Sequence, residues 1–159
     1  MKDNVVNFKK DNVLVYGNPG TGKTVFVNKL ILDGKLNEDI YLVNEYNKES
    51  NCEVFGSALD SLKVLNDFAD LELCLNKMIR GEIVDSTLVI DSIYPYMKES
   101  TSKDLFKEFM SCENKNGNNL IVTGHNKDVY GVIEFDSYFK CKVDLNTGFR
   151  IITQDEVVA

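Results

Sequence analysis

Residues 13–24 read Val-Leu-Val-Tyr-Gly-Asn-Pro-Gly-Thr-Gly-Lys-Thr, a short apolar run passing directly into Gly-x-x-x-x-Gly-Lys-Thr. Each residue type in that spacing has a physical reason. Gly17, Gly20 and Gly22 permit backbone conformations that a Cβ forbids, so consecutive N–H groups can turn inward on a chain of phosphates. Lys23 is spaced to reach the terminal phosphates as a point charge, and the Thr24 hydroxyl to ligate Mg²⁺. A helix beginning near Gly22 adds its positive N-terminal end beneath them. Asn18, Pro19, Thr21 and Val25 complete the stretch expected to surround the phosphates. Such a loop requires a strand before it and a helix after it. Val13–Tyr16 is β-branched and apolar. Val25, Phe26, Val27, Leu30, Ile31 and Leu32 predict a helix apolar enough to be buried, stopped near Gly34.

Strand, loop and helix in that order predict an α/β chain, and the rest of the sequence extends the alternation. Ile40–Asn44, Leu62–Leu65, Thr87–Asp91 and Leu120–Gly124 read as further strands. Between them, Asn66 and Asp67 read as a helix cap ahead of Phe68, Leu71, Leu75, Met78 and Ile79, with Gly81 as the stop. Leu105, Phe106, Phe109 and Met110 predict another helix over residues 102–115. Tyr138–Asp144 and Phe149–Thr153 alternate around Asn-Thr-Gly, a hairpin signal. The expected architecture is a mostly parallel central sheet flanked by helices in three layers, ending in an antiparallel hairpin. Ligand loops should gather at the carboxyl ends of the strands.

At 159 residues, with 43 % apolar and 27 % charged side chains, the chain reads as one domain over residues 1–159. No apolar stretch nears the roughly 18 residues that span a bilayer, and no signal-peptide pattern opens the chain. No membrane is therefore expected among its partners. The four cysteines are dispersed and the single histidine, His125, is too little to build a zinc site with them, so reduced thiols in a cytoplasmic protein are expected. A net charge of −7 disfavours a stand-alone, non-specific DNA binder.

A nucleotide site needs a second acidic element for its metal, and Asp91, closing an apolar strand, is the candidate. The next residue is Ser92, so a base or water-orienting group must come from elsewhere. Glu45, which closes the second strand as Tyr-Leu-Val-Asn-Glu, should therefore face the same crevice. Thr123 and His125, at the end of the fourth, could report on a terminal phosphate. Tyr94-Pro95-Tyr96 reads as a packed loop rather than a base-stacking platform. Lys140, Lys142 and Arg150 make a basic stripe. Lys140 and Lys142 alternate with Phe139, Cys141 and Val143, the pattern of a half-buried hairpin whose basic face is solvated, with a subunit interface or a nucleic-acid contact as the alternatives.

Together these residues resemble the RecA-like branch of P-loop ATPases, over about residues 12–153. The parts that carry the resemblance are Gly17–Thr24, Glu45 ending the second strand, Leu-Val-Ile-Asp-Ser at 88–92, Ile-Val-Thr-Gly-His at 121–125 and the late hairpin. It implies a RecA-like P-loop fold that binds ATP and Mg²⁺ and hydrolyses ATP. Lys23 would hold phosphate, Thr24 and Asp91 the metal, and Glu45 the attacking water, with His125 as a sensor. It also implies further copies of the chain as partners, and single-stranded DNA or a DNA-processing protein, in recombination or repair in a phage or mobile element. The chain departs from the family in two ways: its DNA-binding loops are short, and only Arg150, Lys140 or Lys142 could reach a neighbouring subunit's nucleotide.

Two other classes share the loop. A small-molecule kinase acting on a nucleoside or nucleotide would need several lid arginines, and the chain has only Arg80 and Arg150. A non-catalytic nucleotide-sensing scaffold would follow if Glu45 did not serve the water.

Overall fold

The computed structural model describes residues 5–44, 62–93, 95–98, 100–127 and 134–155. In these, one sheet holds β1 (Val13–Tyr16), β2 (Asp39–Asn44), β3 (Leu62–Leu65), β4 (Ser86–Asp91), β5 (Asn119–Gly124), β6 (Ser137–Val143) and β7 (Arg150–Gln154). Their spatial order is β3-β2-β4-β5-β1-β6-β7. Every neighbouring pair is parallel except β6 and β7, which form the expected antiparallel hairpin. The helices described are α1 (Lys23–Leu32), α2 (Phe68–Ile79) and α3 (Ser100–Ser111), with a 3₁₀ turn at Tyr96–Lys98.

Period-two alternation sends successive strand residues to opposite sides of the sheet, and helices cover both. Val13, Val15, Leu42, Val89 and Ile121 face α1, where they meet Val27, Leu30 and Ile31. Leu14, Val43, Leu88, Ile90, Leu120 and Val122 face α2 and α3, against Leu71, Leu75, Met78, Phe106 and Phe109. Each such fully buried side chain contributes about 1.5–3 kcal/mol.

Helix α1 is less buried than its composition predicted. Val27, Leu30 and Ile31 are buried, but Val25 and Leu32 are 58 % and 59 % exposed. A helix lying on a sheet buries only a stripe, and nothing described covers the opposite side. Helix α2 begins as expected, with the Asp67 carboxylate accepting from Asp70 N at 2.9 Å. It ends with Gly81 in the left-handed region at φ 76°. Helix α3 stops at Ser111, short of the predicted residue 115. There the Lys115 ammonium donates to the carbonyls of Met110 (3.3 Å) and Cys112 (2.6 Å), satisfying the helix end in place of another turn.

Asparagines tie the amino ends of the strands together. Asn12 Oδ1 accepts from Leu120 N, while Asn119 receives the Thr87 hydroxyl and donates to the carbonyls of Phe8 and Asp11. Tyr96 is buried and packs edge-on against Phe68, as a packed loop requires; Tyr94 lies outside the described residues. Cys74 and Cys141 are buried free thiols, and burial pushes the Cys74 thiol up to about 12, so it stays protonated. Among the described residues no helix is long and apolar enough to cross a membrane.

Candidate phosphate-binding site

Parallel pairing aligns the carboxyl ends of the central strands. Tyr16 pairs with Gly124, Asn44 with Asp91, and Ile90 with Val122, so the segments after β1, β2, β4 and β5 leave from one edge. Parity then selects the residues that meet there. Asp91 shares a sheet side with Val89, and Thr123 with Ile121, which is the side α1 covers. Both side chains therefore point toward the start of the helix that follows the glycine loop.

The contacts agree. Thr24, on the first turn of α1, donates its hydroxyl to Asp91 Oδ2 at 2.7 Å, and Thr123 donates to Asp91 Oδ1 at 2.7 Å. Asp91 is only 6 % exposed and Thr123 is fully buried, so both carboxylate oxygens are held by hydroxyls inside the protein. The Asp91–Ser92 peptide bond is cis. Beside this chain, the Lys23 ammonium donates to the carbonyls of Gly17 (2.6 Å) and Gly124 (3.3 Å), one from the loop and one from the neighbouring strand end. Burial lowers the Lys23 pKa, and the Asp91 charge partly offsets that.

The loop itself is shaped by backbone that only glycine adopts readily. Gly20 and Gly22 have φ of 78° and 96°. Gly22 is also the N-cap of α1 and brings no capping side chain, which leaves the helix start open to an anion. Thr21 folds back to donate to the Asn18 carbonyl at 2.7 Å. Gly17 lies so close to β6 that a Cβ would collide with the Cys141 carbonyl oxygen. Gly17→Ala is therefore expected to destabilise the protein by about 2–4 kcal/mol, since backbone sits where the methyl must go. At Gly20 a Cβ would meet no atom within 4 Å, so Gly20→Ala should cost only the strain of its positive φ, about 1–2 kcal/mol. Urea midpoints for the pair check this, and equal shifts would refute the collision.

These residues line a cleft of about 400 Å³, within the range of small-molecule sites, about 300–1,000 Å³. It is lined by Pro19, Gly20, Gly22, Lys23, Thr24 and Val25 from the loop and the start of α1, by Asp91, Ser92, Thr123 and His125 from the ends of β4 and β5, and by Arg150 from β7. Of the residues singled out from sequence, Lys23, Thr24, Asp91, Thr123 and His125 thus meet in one place. His125 is exposed at the rim. Glu45 lies outside the described residues; the residue before it, Asn44, pairs with Asp91 at the strand ends.

In sequence Arg150 belongs to a basic hairpin stripe that could reach a neighbouring subunit's nucleotide. Its place in this chain's own cleft follows only from the order of strands beyond β1, which brings it to the loop. Lys140 and Lys142 are exposed, as the alternation predicted. Among the described residues no group of three or more His, Cys, Asp and Glu forms a metal cage.

The oxygen donors do suit a hard cation that keeps water and phosphate among its ligands. The Thr24 proton is committed to Asp91, which leaves the hydroxyl oxygen as an acceptor on a residue that lines the cleft. In comparison with known proteins, the chain matches no protein-family model and no curated protein sequence.

Proposed function

We propose that this chain is an ATP-binding, Mg²⁺-dependent ATPase with a RecA-like P-loop core, serving DNA recombination or repair. The observation that carries the reading is the hydrogen-bonded line Thr24–Asp91–Thr123 beside the Lys23 ammonium, in one cleft under a glycine loop. Strand β5 stands between β1 and β4, so the strand that ends in Asp91 is one removed from the loop. Thr123 and His125 thereby leave from a strand end between the glycine loop and Asp91, which supports a sensing role for them.

The division of labour follows from each group's chemistry. Loop N–H groups and the α1 start bind phosphate oxygens, and Lys23 neutralises them. Thr24 and Asp91 would hold Mg²⁺, which when bound offsets charge on the transferred phosphoryl group. Glu45 orients the attacking water and accepts its proton, while His125 registers the terminal phosphate at the rim. A kinase would need a closing set of cations, yet Arg80 is exposed and paired with Glu82 at 3.3 Å, leaving Arg150 as the arginine that lines the cleft.

Phosphate release from ATP and GTP, with and without single-stranded DNA, tests the reading. Mg²⁺-dependent release from ATP that rises on adding DNA is the expected result. Release indifferent to DNA would remove the recombination setting. Tight ATP binding with no turnover under any condition would overturn the ATPase. Glu45→Gln should lower turnover by about 10²-fold or more while nucleotide still binds. Unchanged turnover in that variant would favour a sensing scaffold.

A further inference from the structure

The position of Arg150 goes beyond the loop and its acidic partner. Strand β6 runs parallel to β1 and β7 returns antiparallel, with Val143 opposite Arg150. The turn between them therefore lies at the same sheet edge as the glycine loop, and β7 starts there. The Arg150 side chain crosses the start of α1: a Cβ on Gly22 would stand 2.9 Å from Arg150 Cδ and 3.5 Å from its Nε. The absence of a side chain at residue 22 is what leaves room for it.

Arg150 makes no salt bridge among the described residues, yet it shares a cleft with Lys23 at the positive end of a helix. The Asp91 carboxylate in that cleft partly offsets Lys23, and a further anion held among Lys23, Arg150 and the helix N-terminus would be stabilised by all three. Arg150 also lines a second groove, of about 290 Å³, where the apolar side chains of Val25, Phe26, Leu30 and Ile152 are edged by Lys29, Asp33 and Lys35. It shares Gly22, Val25 and Arg150 with the first cleft. Val25 and Ile152 are partly exposed apolar side chains there, at 58 % and 40 %. The arginine thus borders both a polar cleft that holds Lys23 and Asp91 and a groove with an apolar wall and a charged edge, an order of polarity that suits a nucleotide from phosphates to base.

We infer that Arg150 grips the polyphosphate of the nucleotide bound in its own subunit, acting in cis, with the base lying in the groove between α1 and β7. The inference rests on the nucleotide-binding reading above and adds to it a ligand direction and an arginine that needs no neighbouring copy. A guanidinium suits this position because its planar fork spans two phosphate oxygens, which an ammonium cannot.

Three measurements test it. Arg150→Ala should lower kcat/KM for ATP about 10- to 100-fold, the range for losing charged hydrogen bonds, with Arg150→Lys recovering only part. Inorganic tripolyphosphate, titrated calorimetrically, should bind the wild type and bind Arg150→Ala at least about tenfold more weakly. Ile152→Asn should weaken ATP binding about tenfold while leaving tripolyphosphate affinity within about twofold, because it makes a wall of the base groove polar without adding charge beside Arg150.

Mixing Arg150→Ala with Lys23→Ala separates cis from trans. Each variant keeps the residue the other lacks, so an arginine acting across an interface would restore turnover. Cis action predicts no activity above the sum of the two. Restoration on mixing, or wild-type ATP and tripolyphosphate binding by Arg150→Ala, would overturn the inference and leave the nucleotide site standing. A wild-type protein that binds neither ATP, GTP nor tripolyphosphate would overturn both.

Discussion

Lys23→Ala is expected to abolish measurable ATP turnover, lowering kcat/KM by about 10³-fold, while the protein stays folded. The ammonium is aimed by two backbone carbonyls, Gly17 O from the loop and Gly124 O from the neighbouring strand end. Truncation removes the charge and also leaves those carbonyls presenting their negative ends to an incoming phosphate. The fold has little stake in the residue. Burial already disfavours its charged form, the two apolar cores lie along the strands, and the bared carbonyls can take water in an open cleft. A melting temperature within a few degrees of wild type is therefore expected. Lys23→Arg should fail nearly as badly, because a fork cannot occupy the space of a single ammonium between two carbonyls. Near wild-type phosphate release by Lys23→Ala would end the case for this cleft as the reaction site. Loss accompanied by unfolding in a thermal melt would make Lys23 structural instead.

The second large effect is at Asp91, where asparagine and alanine should part company. Asp91→Asn keeps the shape and an acceptor for a threonine hydroxyl but removes a charge that is 6 % exposed. A buried charge without its cation opposes folding, so the free variant should melt at or above the wild-type temperature. Its Mg²⁺-dependent turnover should fall about 10²- to 10³-fold, because a neutral amide oxygen is a poor ligand for a hard cation. Asp91→Ala strips the acceptor from Thr123, which is fully buried, and from Thr24. Each hydroxyl left unsatisfied costs about 1–3 kcal/mol, and at this chain length that lowers the melting temperature by about 2–4 °C per kcal/mol. Thermal melts of both variants, with and without Mg²⁺ and ATP, read the two effects separately. Full Mg²⁺-dependent activity in Asp91→Asn would refute its role at the metal.

Much of this site was legible because its chemistry is local in the chain. The glycine loop needs consecutive residues, and a strand that ends in Asp91 announces both the strand and the acid. The cap at Asp67 is likewise a matter of a few neighbouring residues, and it formed as predicted. Misreadings arose where a distant element decides. The apolar composition of α1 suggested full burial, but whether Val25 and Leu32 are covered depends on what packs against the helix's outer side. The overlong prediction for α3 missed a lysine side chain that ends the helix.

By itself, then, the sequence determined the alternation of strands and helices, the glycine loop between β1 and α1 and the acid that closes β4. These follow from backbone freedom at glycine, from side-chain periodicity and from spacing of a few residues. Tertiary structure alone decided which strand ends became neighbours. The interposition of β5 between β1 and β4 put Thr123 on Asp91, and the return of β7 beyond β6 laid Arg150 across Gly22. The physical reason is that strand order is set by the burial of two opposite sheet faces at once. No local stretch of chain carries that information, and the arginine's 128-residue separation from Gly22 closes only when the sheet does.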